Sequence, residues 1–190
     1  MKRFLLLMLC CIFSLSVSAQ ERQTFMGIPI DGSLTSFIAK LQAKGFEVSF
    51  ADDDIAGLKG PFSGSTRTVY VYATPQTNKV YSVIVQLRTS KSWSSLKSTY
   101  SEFKQMLTNK YGEPYGSETF THPYYEGDGY EMTALRNDKC SFVQLYETST
   151  GTVMLYISDS SDGSVMLSYR DKINSDIYDA EQSSMKYNDL

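Results

Sequence analysis

Histidine occurs once in this sequence, at His122, and cysteine three times, with Cys10 and Cys11 both near the N-terminus and only Cys140 further on. A zinc site needs several such ligands, so this composition leaves almost no room for one. Thiol catalysis would have to pair His122 with Cys140. A nucleophilic thiol wants a cationic neighbour or a helix start to lower its pKa, whereas Cys140 opens an apolar, strand-like stretch, the setting of an inert thiol. His122 falls in THPYYEGDGYE, a loop by its proline and glycine content. Basic residues are also few: 18 Lys and Arg against 21 Asp and Glu, with no run or stripe. That speaks against nucleic acid and anionic membrane as partners.

Long hydrophobic runs are missing too, except at the start. Lys2 and Arg3 precede an apolar stretch from Phe4 to about Val17, and Val17-Ser18-Ala19 offers small residues for cleavage. This predicts a secretory signal peptide over residues 1–19, an exported (periplasmic or secreted) protein starting near Gln20, and no transmembrane anchor. Leu7, Met8 and Leu9 precede the paired cysteines where a lipoprotein would have small residues. Cleavage removes two basic residues and no acidic one, so the formal charge moves from -3 to about −5. The remaining ~171 residues suit one ordinary domain or two small ones sharing a core. With Cys140 alone in an oxidising compartment, stability is expected from packing and not from disulfides.

What is present is a pattern that alternates between helical and extended periods, twice. Leu34, Phe37, Ile38 and Leu41 share a helical face, with Asp31 or Ser33 as cap and Gly45 as stop. RTVYVYA (67–73) and KVYSVIVQL (79–87) alternate with period two around Pro75 and Asn78 and read as an antiparallel hairpin. Trp93, Leu96, Tyr100, Phe103, Leu107 and Tyr111 predict a long amphipathic helix closed by Gly112 and Pro114. Strands are expected around 118–120, 130–135, 141–147, 152–158 and 164–170. The polar segment from Asp171 onward reads as a short helix that frays. FIAKLQAKGFE (37–47) and FKQMLTNKYGE (103–113) match at Phe, Leu, Lys and Glu in register, which suggests a tandem duplication. The predicted class is α+β: two helix-then-antiparallel-sheet units over residues 20–90 and 91–172, helices packed on one face of the sheet, and a polar C-terminal tail over 173–190.

Three near-motifs have ordinary explanations. GIPIDGS (27–33) approaches a phosphate-binding loop, but Ser33 stands where the lysine is needed and the strands downstream are hairpin-linked, not parallel. Ile28 and Ile30 then pack as a lead-in, Asp31-Gly32 turns the chain, and Ser33 caps the helix. DSSDG (159–163) and EGDG (126–129) each hold two carboxylates and a glycine, without the ligand spacing of a calcium loop. ADDD (51–54) reads as a solvated turn. No catalytic residue, cofactor or metal ligand is assigned.

Strand parity supplies the remaining signal, because alternate side chains point to opposite faces. With Val69, Val71, Val83, Val85, Leu87, Val143, Leu145, Val153, Leu155, Ile157, Val165 and Leu167 placed beneath the helices, the other face carries Tyr70, Tyr72, Ile84, Phe142, Tyr146, Met154, Tyr156 and Met166. All 14 tyrosines lie beyond the signal segment. Amphipathic rings and adaptable methionines make good contact surface, and they are equally good strand formers in cross-strand pairs.

GIPIDGSLTSFIAKLQAKGF (27–46), the W-x-x-L-x-x-x-Y helix at 93–100 and KYGEP (110–114) resemble an uncharacterised family of small secreted proteins from Gram-negative gut anaerobes. The resemblance spans most of the mature chain and implies no activity. In topology alone, two helix-then-sheet units are similar to the β-lactamase inhibitory protein and to small outer-membrane-assembly lipoproteins, which are binding proteins. The expected function is therefore non-catalytic binding of an envelope or extracellular protein, or an extended chain, through Tyr70, Tyr72, Phe142, Tyr146, Met154, Tyr156 and Met166. Small-ligand or glycan binding, and a hydrolase using Cys140 and His122, stand as alternatives.

Overall fold

The computed structural model describes residues 21–188; the expected signal peptide, with Cys10 and Cys11, lies outside them. The described chain is mixed α+β, with four α-helices and a large antiparallel sheet. A two-stranded ribbon, β1 (Thr24–Phe25) and β2 (Ile28–Pro29), leads into α1 (Leu34–Gln42). Then follow β3 (Glu47–Ala51), β4 (Ile55–Phe62), β5 (Ser65–Ala73) and β6 (Val80–Thr89). The second half runs α2 (Trp93–Tyr111), β7 (Tyr115–Phe120), α3 (Glu131–Arg136), β8 (Cys140–Glu147), β9 (Gly151–Ser158), a 3-10 turn (Ser160–Asp162) and β10 (Ser164–Asp171). α4 (Lys172–Asn188) closes the described chain.

The eight larger strands form one sheet in the order β3-β4-β5-β6-β10-β9-β8-β7. Hairpins join β5 to β6 and β9 to β10, as their alternation predicts. The two halves meet where β6 pairs with β10. At that seam Val85 faces Leu167, and both side chains are buried.

α1 begins where Ser33 Oγ accepts from Ser36 N and Asn78 Oδ1 accepts from Leu34 N, so two of its orphan donors are satisfied. Leu34, Phe37 and Leu41 are its buried stripe. On α2 the buried positions are Trp93, Leu96, Tyr100, Phe103 and Leu107, the predicted three-and-four spacing. Trp93 meets Phe142 edge-on at 4.9 Å between centroids and Phe120 at 5.3 Å. Each such buried aromatic contributes roughly 2–3 kcal/mol from surface removed from water. Gly112 ends α2 with φ 88°, a value only glycine adopts cheaply.

Three sequence expectations change. Residues 130–135 were expected as a strand, but 131–136 form α3: its residues are mostly strong helix formers, and Ala134 and Leu135 are buried side by side, which alternation forbids. β4 shows no strand signal in the sequence because its glycines and proline resemble a turn. In the sheet, the Phe50 ring lies directly over Gly57, where any Cβ would collide with it. The C-terminal segment was expected to be a short fraying helix; α4 instead runs for 17 residues and buries Asn174 and Glu181. Its stripe is polar, which is why apolar periodicity does not reveal the docking.

Candidate functional site: the tyrosine side of the sheet

Cross-strand neighbours lie on the same side of a sheet, so register decides what assembles there. Thr68, Tyr70 and Tyr72 on β5 face Gln86, Ile84 and Ser82 on β6. Those three face Met166, Ser168 and Arg170 on β10, which in turn face Tyr156, Met154 and Thr152 on β9. Val143, Leu145 and Glu147 on β8 complete the rows. Tyr70, Tyr72, Ile84, Met154, Tyr156 and Met166 are all half-buried, whereas Ser82 and Ser168 between them are buried. Large rings thus rise from a floor of small side chains. Burial pushes the Tyr72 phenol above its ordinary pKa, and neighbouring Tyr70 adds to the rise. Tyr156 is raised in the same way, by burial and then by Tyr72. Phe50, 42% exposed, extends the aromatic surface, its ring 6.5 Å from that of Tyr70.

Five of the seven predicted contact residues, Tyr70, Tyr72, Met154, Tyr156 and Met166, are therefore on one side. Phe142 and Tyr146 are not; this is a correction. Both are buried against α2: Phe142 packs on Trp93 and Tyr100, and the Tyr146 hydroxyl donates to Lys104 O at 3.2 Å. Val143 and Leu145, expected inside, take the tyrosine side. In β8 both alternating sets carry large apolar side chains, Phe142 and Tyr146 in one and Val143 and Leu145 in the other, so hydrophobicity alone does not set the parity; the large rings are drawn to the concavities beside α2. The buried amide of Gln144 is satisfied there by donating to the Glu118 carboxylate at 2.8 Å. Parity also hides Tyr81. The register shift between Tyr72 and Ala73 makes Tyr81 the extra residue of a bulge. Its ring reaches the tyrosine side, 6.5 Å from Tyr72, and stacks on Tyr178 of α4 at 4.3 Å. α4 thereby covers the end of this side nearest the β5–β6 turn.

The near-motifs resolve into structural roles. In GIPIDGS, Ser33 caps α1, and Gly32, at φ 83°, presents its carbonyl to Val80 N. In the 121–131 loop, Asp128 accepts from the main-chain N–H groups of Tyr125 and Tyr130, and Glu131 accepts from Gly127. Those carboxylates are already occupied by their own loop. Asp162 of DSSDG forms a surface ion pair with Lys91 at 3.5 Å. Among the described residues no group of three or more His, Cys, Asp or Glu side chains is placed to hold a metal ion. Cys140 is half-buried, and that burial is the main cause pushing its thiol up to about 12, so it is protonated at neutral pH. His122 is exposed, and no hydrogen bond joins the two.

Two of the concavities among the described residues bear on function. One, of about 410 Å³, lies where β9, β10 and α4 meet. The other, of about 510 Å³, is lined by Tyr124, Tyr125 and Tyr130 with Pro123, Asp128 and Thr133. No family model, curated protein or solved structure matches the chain. Among the described residues no helix is long and apolar enough to cross a membrane.

Proposed function

We propose that this is a non-catalytic binding protein, exported to the periplasm or beyond, that grips a protein or extended-chain partner with the tyrosine side of its sheet. On this reading α1 and α2 cover one face, and the other is left to the solvent except where α4 crosses it. The observation that carries the reading is the set of half-buried Tyr70, Tyr72, Met154, Tyr156 and Met166 on adjacent rows, with Ile84, Val143 and Leu145 among them. Tyrosines held upright by their neighbours lose little conformational entropy on binding, and aromatic anchors dominate interface energetics.

The same rows support a duplicated unit. Val69-Tyr70-Val71 on β5 corresponds to Leu155-Tyr156-Ile157 on β9, each facing Val83-Ile84-Val85 on β6 or its counterpart Val165-Met166-Leu167 on β10. The register obeys this correspondence. Ile84 faces Ser168 while Met166 faces Gln86, and Val85 faces its own counterpart Leu167. A local two-fold through that pair would turn each half into the other, as in the binding proteins the topology resembles. The contact face then consists of two similar halves, suited to a partner that spans both.

The test is capture from the native cell envelope with the mature protein as bait. Replacing Tyr72 and Tyr156 together by Ala is expected to reduce recovery of a specific partner at least tenfold with an unchanged circular dichroism spectrum. Equal recovery, or collapse of the fold, would refute the proposal. A second reading has its own observation: Tyr124, Tyr125 and Tyr130 line a groove whose loop Asp128 holds in place, an arrangement suited to the apolar face of a sugar ring. Saturable binding of neutral oligosaccharides, abolished by Tyr125→Ala, would favour it.

A further inference from the structure

The cavity beside α4 contains charges that the fold does not neutralise. Its floor is one lateral row, Glu147 on β8, Thr152 on β9 and Arg170 on β10, and Ser175, Asp176 and Asp179 of α4 form a wall. The Arg170 guanidinium packs against the Tyr81 ring, 5.5 Å from its centroid, and Tyr81 is backed by Tyr178. An aromatic partner orients a guanidinium without using its N–H fork, which remains available to an oxyanion. Among the described residues neither Arg170 nor the neighbouring Lys172 forms an ion pair, although three carboxylates share the lining. Arg170 Nε and Ser175 Oγ are both shielded from solvent and have no hydrogen-bond partner. Both atoms are sealed from the cavity, so the group within reach of a ligand is the end of the guanidinium, whose terminal nitrogens form no hydrogen bond to any described residue.

Charge complementarity narrows the occupant. A simple anion would meet Glu147, Asp176 and Asp179; a simple cation would meet Arg170 and Lys172. A molecule with both signs a few bonds apart satisfies both sets, and a volume of about 410 Å³ suits a free amino acid or a short peptide. We propose that this cavity binds a small zwitterion of the α-amino-acid class, with its carboxylate on the terminal nitrogens of Arg170 and its ammonium group toward Asp176 and Asp179. The inference is independent of the partner-binding reading, since the residues that define it are not those that carry the tyrosine contact surface.

The test is calorimetric and NMR titration of the mature protein with glycine, L-alanine, L-glutamate, L-lysine and glycylglycine, beside acetate and methylammonium as half-ligands. At least one zwitterion is expected to bind tenfold or more tightly than either half-ligand, with amide shifts at Arg170 and Ser175. Arg170→Lys, Asp176→Asn and Asp179→Asn are each expected to weaken that binding several-fold. If Arg170→Lys fails to fold, the other two variants decide the matter. Absence of saturable binding at millimolar concentration, or acetate binding as well as the zwitterions with no effect of Asp179→Asn, would mean a water-filled recess only and would overturn the proposal.

Discussion

Asn174 is the residue on which most of the chain's separate parts converge. Its amide Nδ2 donates to Val80 O at 2.7 Å, to Asp31 Oδ1 at 3.1 Å and to Ile30 O at 3.3 Å, and its Oδ1 accepts from Arg22. Its own N–H is capped by the Asp171 carboxylate, which also takes Arg22 at 2.8 Å and the Gln23 N–H. One buried amide thus ties together the N-terminal ribbon, the entrance to α1, the start of β6 and the first turn of α4. Replacing Asn174 by Ala strands several buried groups at once, and at ~1–3 kcal/mol for each the loss is expected to reach about 3 kcal/mol. Urea denaturation of the variant checks this; a change under ~0.5 kcal/mol would show that the cluster holds no stability. Polar residues with this role carry no periodicity, so Asn174 is invisible in the sequence, as is Tyr81, whose side of the sheet a bulge decides.

Among the elements, α4 shows best how a segment can be helical by local preference and docked by distant partners. Its second anchor is Glu181, 7% exposed, whose carboxylate accepts from Thr77 Oγ1 at 2.6 Å, Gln76 N at 2.8 Å and Thr77 N at 3.1 Å in the β5–β6 turn. Burial alone would raise this carboxyl's pKa, but the hydrogen bonds from Thr77 and Gln76 outweigh it and hold the group below its ordinary value. A pKa lower in the folded than in the unfolded state stabilises the fold above the ordinary carboxylate pKa, and that contribution disappears as pH falls through the lowered value. Asp31 and Glu118 are shifted in the same direction. Stability is therefore expected to fall with acidification below about pH 4.5, and Glu181→Gln to flatten part of that slope. Hydrogen exchange across α4 at neutral pH should rise in this variant while α2 stays protected. An unchanged α4 would mean that the turn contacts do not hold it.

For the whole molecule, the decisive contact is the seam between β6 and β10, because it joins two halves that are each contiguous in sequence. Neither half has an independent edge there: separating them would expose Val83, Val85, Leu167 and the β6 and β10 backbones together. Trp93, the only tryptophan, reports on the second half. Unfolding is expected to be a single transition, with Trp93 fluorescence and far-ultraviolet circular dichroism coinciding in urea. A fragment of residues 21–90 is expected to remain unfolded. A fluorescence transition displaced from the dichroism transition would instead identify two independently stable domains.

The sequence by itself determined the α+β class, the faces of α1 and α2, both long hairpins and the inward rows of β5, β6, β9 and β10, since each follows from a local period of apolar residues. It could not decide β8, where both alternating sets carry large apolar side chains, nor β4, whose Gly57 and Gly60 make room for the rings of Phe50 and Phe46. Nor could it reveal α4, which is held by polar bonds to residues about a hundred positions away. Those outcomes depend on which surfaces meet, and only the tertiary structure brings them together.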